Sequence, residues 1–133
     1  MIAITGAGEY LDIIRPYDEI LLNKLKDDPY VLCFPTAAGL ESEERIQYWL
    51  DLGDEHFAKL NVNHKSIRAL NVNDYNKPET LAEIEKANFI YFSGGNPNHL
   101  YDTLSSSLAW EKLLSIHNNG GILAGCSAGA MIM

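Results

Sequence analysis

The sequence predicts an α/β domain with a doubly wound, mostly parallel sheet. Three observations point there. Short apolar runs of four to seven residues recur, mostly without polar alternation, as strands covered on both faces do. Helical patterns separate them, and alternation of the two kinds favours parallel crossovers. Glycine-containing loops follow the strand-like runs, which in such sheets gathers them at one edge, outside the carboxyl ends of the strands.

The elements follow in order. Met1–Thr5 is the first strand-like run; Tyr30–Phe34, Ser66–Val72, Phe89–Phe92 and Gly121–Ala124 are the others, each bounded by Gly, Pro, Asn or Asp. Pro16 suits the first turn of a helix whose buried face is Ile20, Leu21 and Leu25, stopped by Asp27-Asp28-Pro29. Ser42 to Leu60 is the longest helical pattern, carried by Ile46, Trp49, Leu50, Phe57 and Leu60, with Gly53 expected to bend or interrupt it. Pro78 opens a third helix with Leu81, Ile84 and Ala87 inward. A fourth helical region runs from Asn98 to His117 through Leu100, Leu104, Trp110, Leu113 and Leu114, and Asn118-Asn119-Gly120-Gly121 stops it.

Composition sets limits on what the domain does. The chain has 133 residues, 47% apolar and 21% charged, with 18 Asp plus Glu against 10 Lys plus Arg and a net charge of -8. A length of this order suits one domain, ~100–150 residues, so residues 1–133 are read as a single α/β unit. The acidic balance argues against a nucleic-acid partner, which needs a basic face. No apolar run nears the ~18 residues that span a bilayer, and Met1–Thr5 carries no basic leader, so no membrane partner and a cytoplasmic site are expected. Cys33 and Cys126 form neither a disulfide framework nor a metal spacing, and each reads as a small buried hydrophobe. No metal or other cofactor is expected.

Charge is uneven along the chain. Residues 90–133 carry only Asp102, Glu111 and Lys112 of all the ionised side chains, yet are rich in Gly, Ser and Asn. Such a stretch reads as interior backbone and site loops. Within it, Gly125-Cys126-Ser127-Ala128-Gly129 fits the G-x-S-x-G pattern of a strand that turns sharply into a helix. The turn projects the central serine, and the helix start offers the Ala128 amide to an oxyanion. Ser93-Gly94-Gly95-Asn96-Pro97 also follows a strand, and its paired glycines let backbone amides face a reacting carbonyl. Gly6-Ala7-Gly8 has the start of a dinucleotide loop, but Leu11 stands where a third glycine belongs and no acidic partner follows at the needed distance, which argues against that reading. His56, His64 and His117 read as surface residues; His99 lies nearest a site loop.

With these loops in hand, the sequence resembles the peptidase E and cyanophycinase family of serine peptidases, and within it the cyanophycinase-like branch. The resemblance rests on Ile2–Glu9, Phe34–Ala38, Tyr91–Pro97 and Gly125–Ala130, in the family's order. It implies a class I glutamine-amidotransferase-like fold, Ser127 as nucleophile, and the amides of Gly95 and Ala128 as the oxyanion hole. A small peptide or amide is the implied substrate. Gly94 and Asn96 are candidate contacts for it. Relatives favour aspartyl peptides, which ask for a cation, and Arg15 and Arg45 both follow site loops; Arg45 is the candidate retained.

The sequence departs from the family in one respect. There the base histidine and its orienting acid follow the nucleophile, whereas only six residues, none a histidine, follow Ser127 here. The expectation is an N-terminal part of a longer family domain, ending just after the serine turn. A catalytically inactive amidotransferase-like binding module is the alternative. An unfinished sheet, with the apolar side chains of Met131, Ile132 and Met133 uncovered, is expected to self-associate.

Overall fold

The computed structural model describes residues 1–133, arranged as a five-stranded, wholly parallel sheet with helices on both faces. The strands are β1 (Ile2–Thr5), β2 (Tyr30–Phe34), β3 (Asn63–Ser66), β4 (Phe89–Phe92) and β5 (Ile122–Cys126), in the order β1-β5-β4-β2-β3. The helices are α1 (Arg15–Leu22), α2 (Glu43–Lys59), α3 (Val72–Tyr75), α4 (Pro78–Lys86), α5 (Pro97–Ser105), α6 (Ala109–Asn118) and α7 (Ala128–Met131). No helix is long and apolar enough to cross a membrane.

The sheet sorts its side chains by parity, because successive residues of a strand face opposite ways. Val31, Cys33, Phe89, Tyr91, Ile122, Ala124 and Cys126 pack with Tyr10, Leu22 and Phe57 under α1 and α2. Leu32, Phe34, Ile90, Phe92 and Leu123 pack on the other face with side chains of α3 to α7. β2, β4 and β5 are buried nearly throughout, as unalternated apolar runs require, whereas the two edge strands are only half covered.

Three expectations are corrected. The third strand is not Ser66–Val72 but the polar Asn63–Ser66, drawn into place by its ladder with Tyr30–Cys33; an edge strand needs one backbone partner and little apolar surface. Residues 67–71 then leave the sheet, and Asn71 caps α3. Gly53 does not interrupt α2: it lets the helix lie close on the sheet, where an added Cβ would stand 3.2 Å from that of Cys33. The fourth helical region divides into α5 and α6 around Ser106–Leu108.

The uncovered apolar surface also lies elsewhere than expected. Met131 is exposed, but Ile132 and Met133 pack against the core. The larger strip runs along β1 and α1, where Ile4, Ile13, Tyr17 and Ile20 are 55–76% exposed beside a groove of about 610 Å³. Helix α1 thus buries Asp18 and Leu22 and not Ile20, expected on its inner face.

Candidate active site

The site forms where β1, β4 and β5 end together. After β5 the chain turns at Ser127, whose φ of 51° and ψ of -112° are a conformation that L residues rarely adopt. Its N–H donates to Thr5 O at 3.1 Å, tying the turn to the end of β1, and α7 begins at the next residue. Space explains the flanking glycines. A Cβ at Gly125 would lie 2.3 Å from the backbone of Gly129, and one at Gly129 would lie 2.1 Å from Phe92 O. Helix α7 can therefore rise from the sheet at this angle only with both side chains missing. Ser127 is exposed, while Cys126 and Ala128 on either side are buried.

The loop after β4 approaches from the side. Gly95 has φ of 145°, and a Cβ there would stand 2.3 Å from Ala37 O, so the loop rests directly on the turn after β2. Asn96 N–H donates to that same Ala37 O at 2.7 Å. The Asn96 side chain accepts from His99 N–H and caps α5, so its amide oxygen is committed to the helix rather than offered to a substrate. Gly94 lies beside Ser127, at 3.3 Å from the serine Cβ to its own added Cβ.

One residue that sequence reasoning placed only within a longer motif joins these loops. Glu9 is 8% exposed, yet it lines the site. Its Oε1 accepts the Gly94 N–H at 3.0 Å, and Cys126 Sγ donates to its Oε2 at 2.9 Å. Tyr10, also at positive φ, turns its ring into a cluster with Tyr91, Trp49 and Phe57 and so holds Glu9 inward. Burial and the Glu9 hydrogen bond push the Cys126 thiol up from its ordinary value, which keeps it a neutral S–H donor. Cys126 is thus more than the small hydrophobe expected.

The resulting cleft encloses about 280 Å³ and is lined by Ser127, Gly94, Gly95, Glu9, Arg45 and Trp49, among others. Gly95 gives its N–H to no other backbone group, and the Ala128 amide, first in its helix, has no intrahelical acceptor. Arg45 stands at the mouth, its guanidinium 4.9 Å and 5.0 Å from the ring centres of Tyr48 and Trp49 and its Nε 3.5 Å from Glu41. Arg15 is instead paired with Asp12.

No histidine lines the cleft. His99 bonds Leu70 O at 2.8 Å, His64 bonds Val62 O, and His117 ends α6. His56 is not on the surface, as expected, but is 1% exposed and joined to Asp18 at 2.7 Å. No three His, Cys, Asp or Glu side chains gather as a metal ion would need. Two larger hollows, the β1 groove and a polar one beside Asp27 and Lys112, do not include Ser127.

Comparison with known proteins agrees with this arrangement of strands and loops. The structure of a peptidase from an acI-B1 Actinobacterium matches with a TM-score of 0.92 and 38% identity, over 98% of this chain and 55% of its own. A candidate peptidase E protein from Listeria monocytogenes EGD-e matches with a TM-score of 0.67 at 20% identity, over 97% of this chain and 59% of its own, a likeness of fold. The chain therefore spans a little over half the length of each. Among curated proteins none matches. The model of peptidase family S51 matches residues 1–133, every residue described above, and the chain belongs to that family.

Proposed function

We propose that the chain carries the nucleophile and oxyanion hole of a serine peptidase that cleaves small peptides or related amides through an acyl-enzyme. The observation that carries this reading is Ser127 itself, exposed on a strained strand-to-helix turn beside a glycine loop with an unused amide. Ser127 Oγ adds to the scissile carbonyl carbon, and a base from outside the cleft lining takes its proton. The oxygen that becomes negative is received by the N–H groups of Gly95 and Ala128. Collapse expels the amine, which takes the proton back from the base; water then releases the acid and frees the serine. Arg45, the one cation of the lining, is assigned to an acidic group of the substrate.

The test is labelling of the full-length polypeptide with a fluorophosphonate probe. Wild type is expected to label and Ser127→Ala not to. Equal labelling of the two would remove Ser127 as nucleophile. A folded protein that neither labels nor cleaves peptides would favour an inactive binding module of the same fold.

A further inference from the structure

We propose that Glu9 is a positioning residue that sets the oxyanion hole by clamping the glycine loop to the serine turn. The inference rests on Ser127 and Gly95 acting as proposed above. Three separate segments meet at this carboxylate: the loop after β1 that carries it, the loop after β4 through Gly94 N–H, and the end of β5 through Cys126 Sγ. No other side chain bonds both site loops. Gly94 and Gly95 are adjacent, so fixing the first amide on Glu9 restrains the second, whose N–H has no acceptor among the backbone groups. Cys126 directly precedes Ser127, so the same carboxylate fixes the nucleophile's backbone. A displacement of about 1 Å between nucleophile and donors is enough to cost ~100-fold in rate.

The carboxylate acts here by reach and not by charge. Its bonds are two accepted hydrogens, and its own loop is held by Tyr10, which sits at positive φ and packs among aromatic rings. Glutamine preserves the reach to Gly94, because its amide oxygen accepts as Oε1 does. Aspartate keeps the charge but is one methylene too short.

Glu9→Gln, Glu9→Asp and Glu9→Ala are to be made in the full-length polypeptide, with kcat and KM measured on a peptide substrate and amide exchange followed at Gly94. Glu9→Ala and Glu9→Asp are expected to lower kcat by about 10- to 100-fold with KM within about twofold, since the oxyanion exists only in the transition state. Glu9→Gln is expected to stay within about threefold of wild type. Gly94 amide exchange should accelerate in the Asp and Ala variants and remain slow in Gln. If Glu9→Ala does not fold, the Asp and Gln pair decides alone. An aspartate variant more active than the glutamine one, or unchanged Gly94 protection in Glu9→Asp, would overturn the clamp. Amide exchange reads the clamp even where no peptide is cleaved, so its failure is distinct from failure of the Ser127 assignment, which the fluorophosphonate label reads.

Discussion

At the scale of single residues the site is made by what side chains leave out as much as by what they supply. The turn at Ser127 demands close backbone approach at Gly125 and Gly129, and the loop of Gly95 demands the same against Ala37. Arg45 is the residue whose contribution is most open to measurement. It is half exposed and already shares its charge with Glu41, so its pairing with a substrate carboxylate is worth roughly 1 kcal/mol at most. Arg45→Ala is therefore expected to reduce the preference for an aspartyl over an alanyl peptide about five-fold in kcat/KM, leaving the rate on the alanyl peptide nearly unchanged; an unaltered preference excludes the role. The strand-to-helix turn at Ser127 was legible in the sequence because its five-residue pattern is local and its context, an apolar strand before and small residues after, is local too. The hydrogen bonds of Glu9 were not legible: its partners lie 85 and 117 residues away, and no spacing along the chain encodes them.

At the scale of elements, the strands buried on both faces were read from their unalternated apolar runs, and the helices from proline starts and helical spacing. Two of the failures, at β3 and at His56, share one cause. β3 is polar because an edge strand is specified by its neighbour's backbone and not by its own side chains. His56 likewise looked like a surface residue because its partner sits on another helix. Asp18 on α1 and His56 on α2 meet beneath a covering of aromatic rings, both almost wholly buried, and thereby hold the two helices of this face together. Removing the acceptor leaves a buried ring N–H without a partner, at a cost of about 1–3 kcal/mol. Asp18→Ala is expected to lower the urea midpoint accordingly with an unchanged m value, and Asp18→Asn, which still offers an oxygen, to lower it less. Equal midpoints for wild type and Asp18→Ala would show that the pair contributes nothing to docking the helices.

At the scale of the whole molecule, the sheet buries acids of a weaker kind than carboxylates. Cys33, Tyr10, Tyr75 and Tyr91 are all pushed upward by burial, from ordinary values of 9.0 for the thiol and 10.0 for the phenols. Unfolding exposes them, so above those values the unfolded chain releases protons that the folded chain keeps. Because the folded state then binds more protons, stability falls as pH rises, by about 1.4 kcal/mol per pH unit for each proton so retained. The stability contributed by these groups is complete below pH 9 and is lost progressively above it. Urea midpoints are expected to be level between pH 7 and 8.5 and to decline steeply by pH 10.5. A level profile through pH 10.5 would contradict the burial of these hydroxyl and thiol groups.

The strand order has a further consequence, which concerns time. β1 forms its ladder with β5 alone, from Ile2 beside Leu123 to Thr5 beside Cys126. Within this sheet β1 therefore has no partner until β5 has been made, and it waits unpaired while β2, β3 and β4 are synthesised. Closing so long a loop comes late, since its entropy is lost before any contact repays it. Glu9, Gly94 and Ser127 converge only at that closure. β2, β3 and β4 can thus pair before the cleft exists, and of these five strands β1 is the one longest exposed to misassembly.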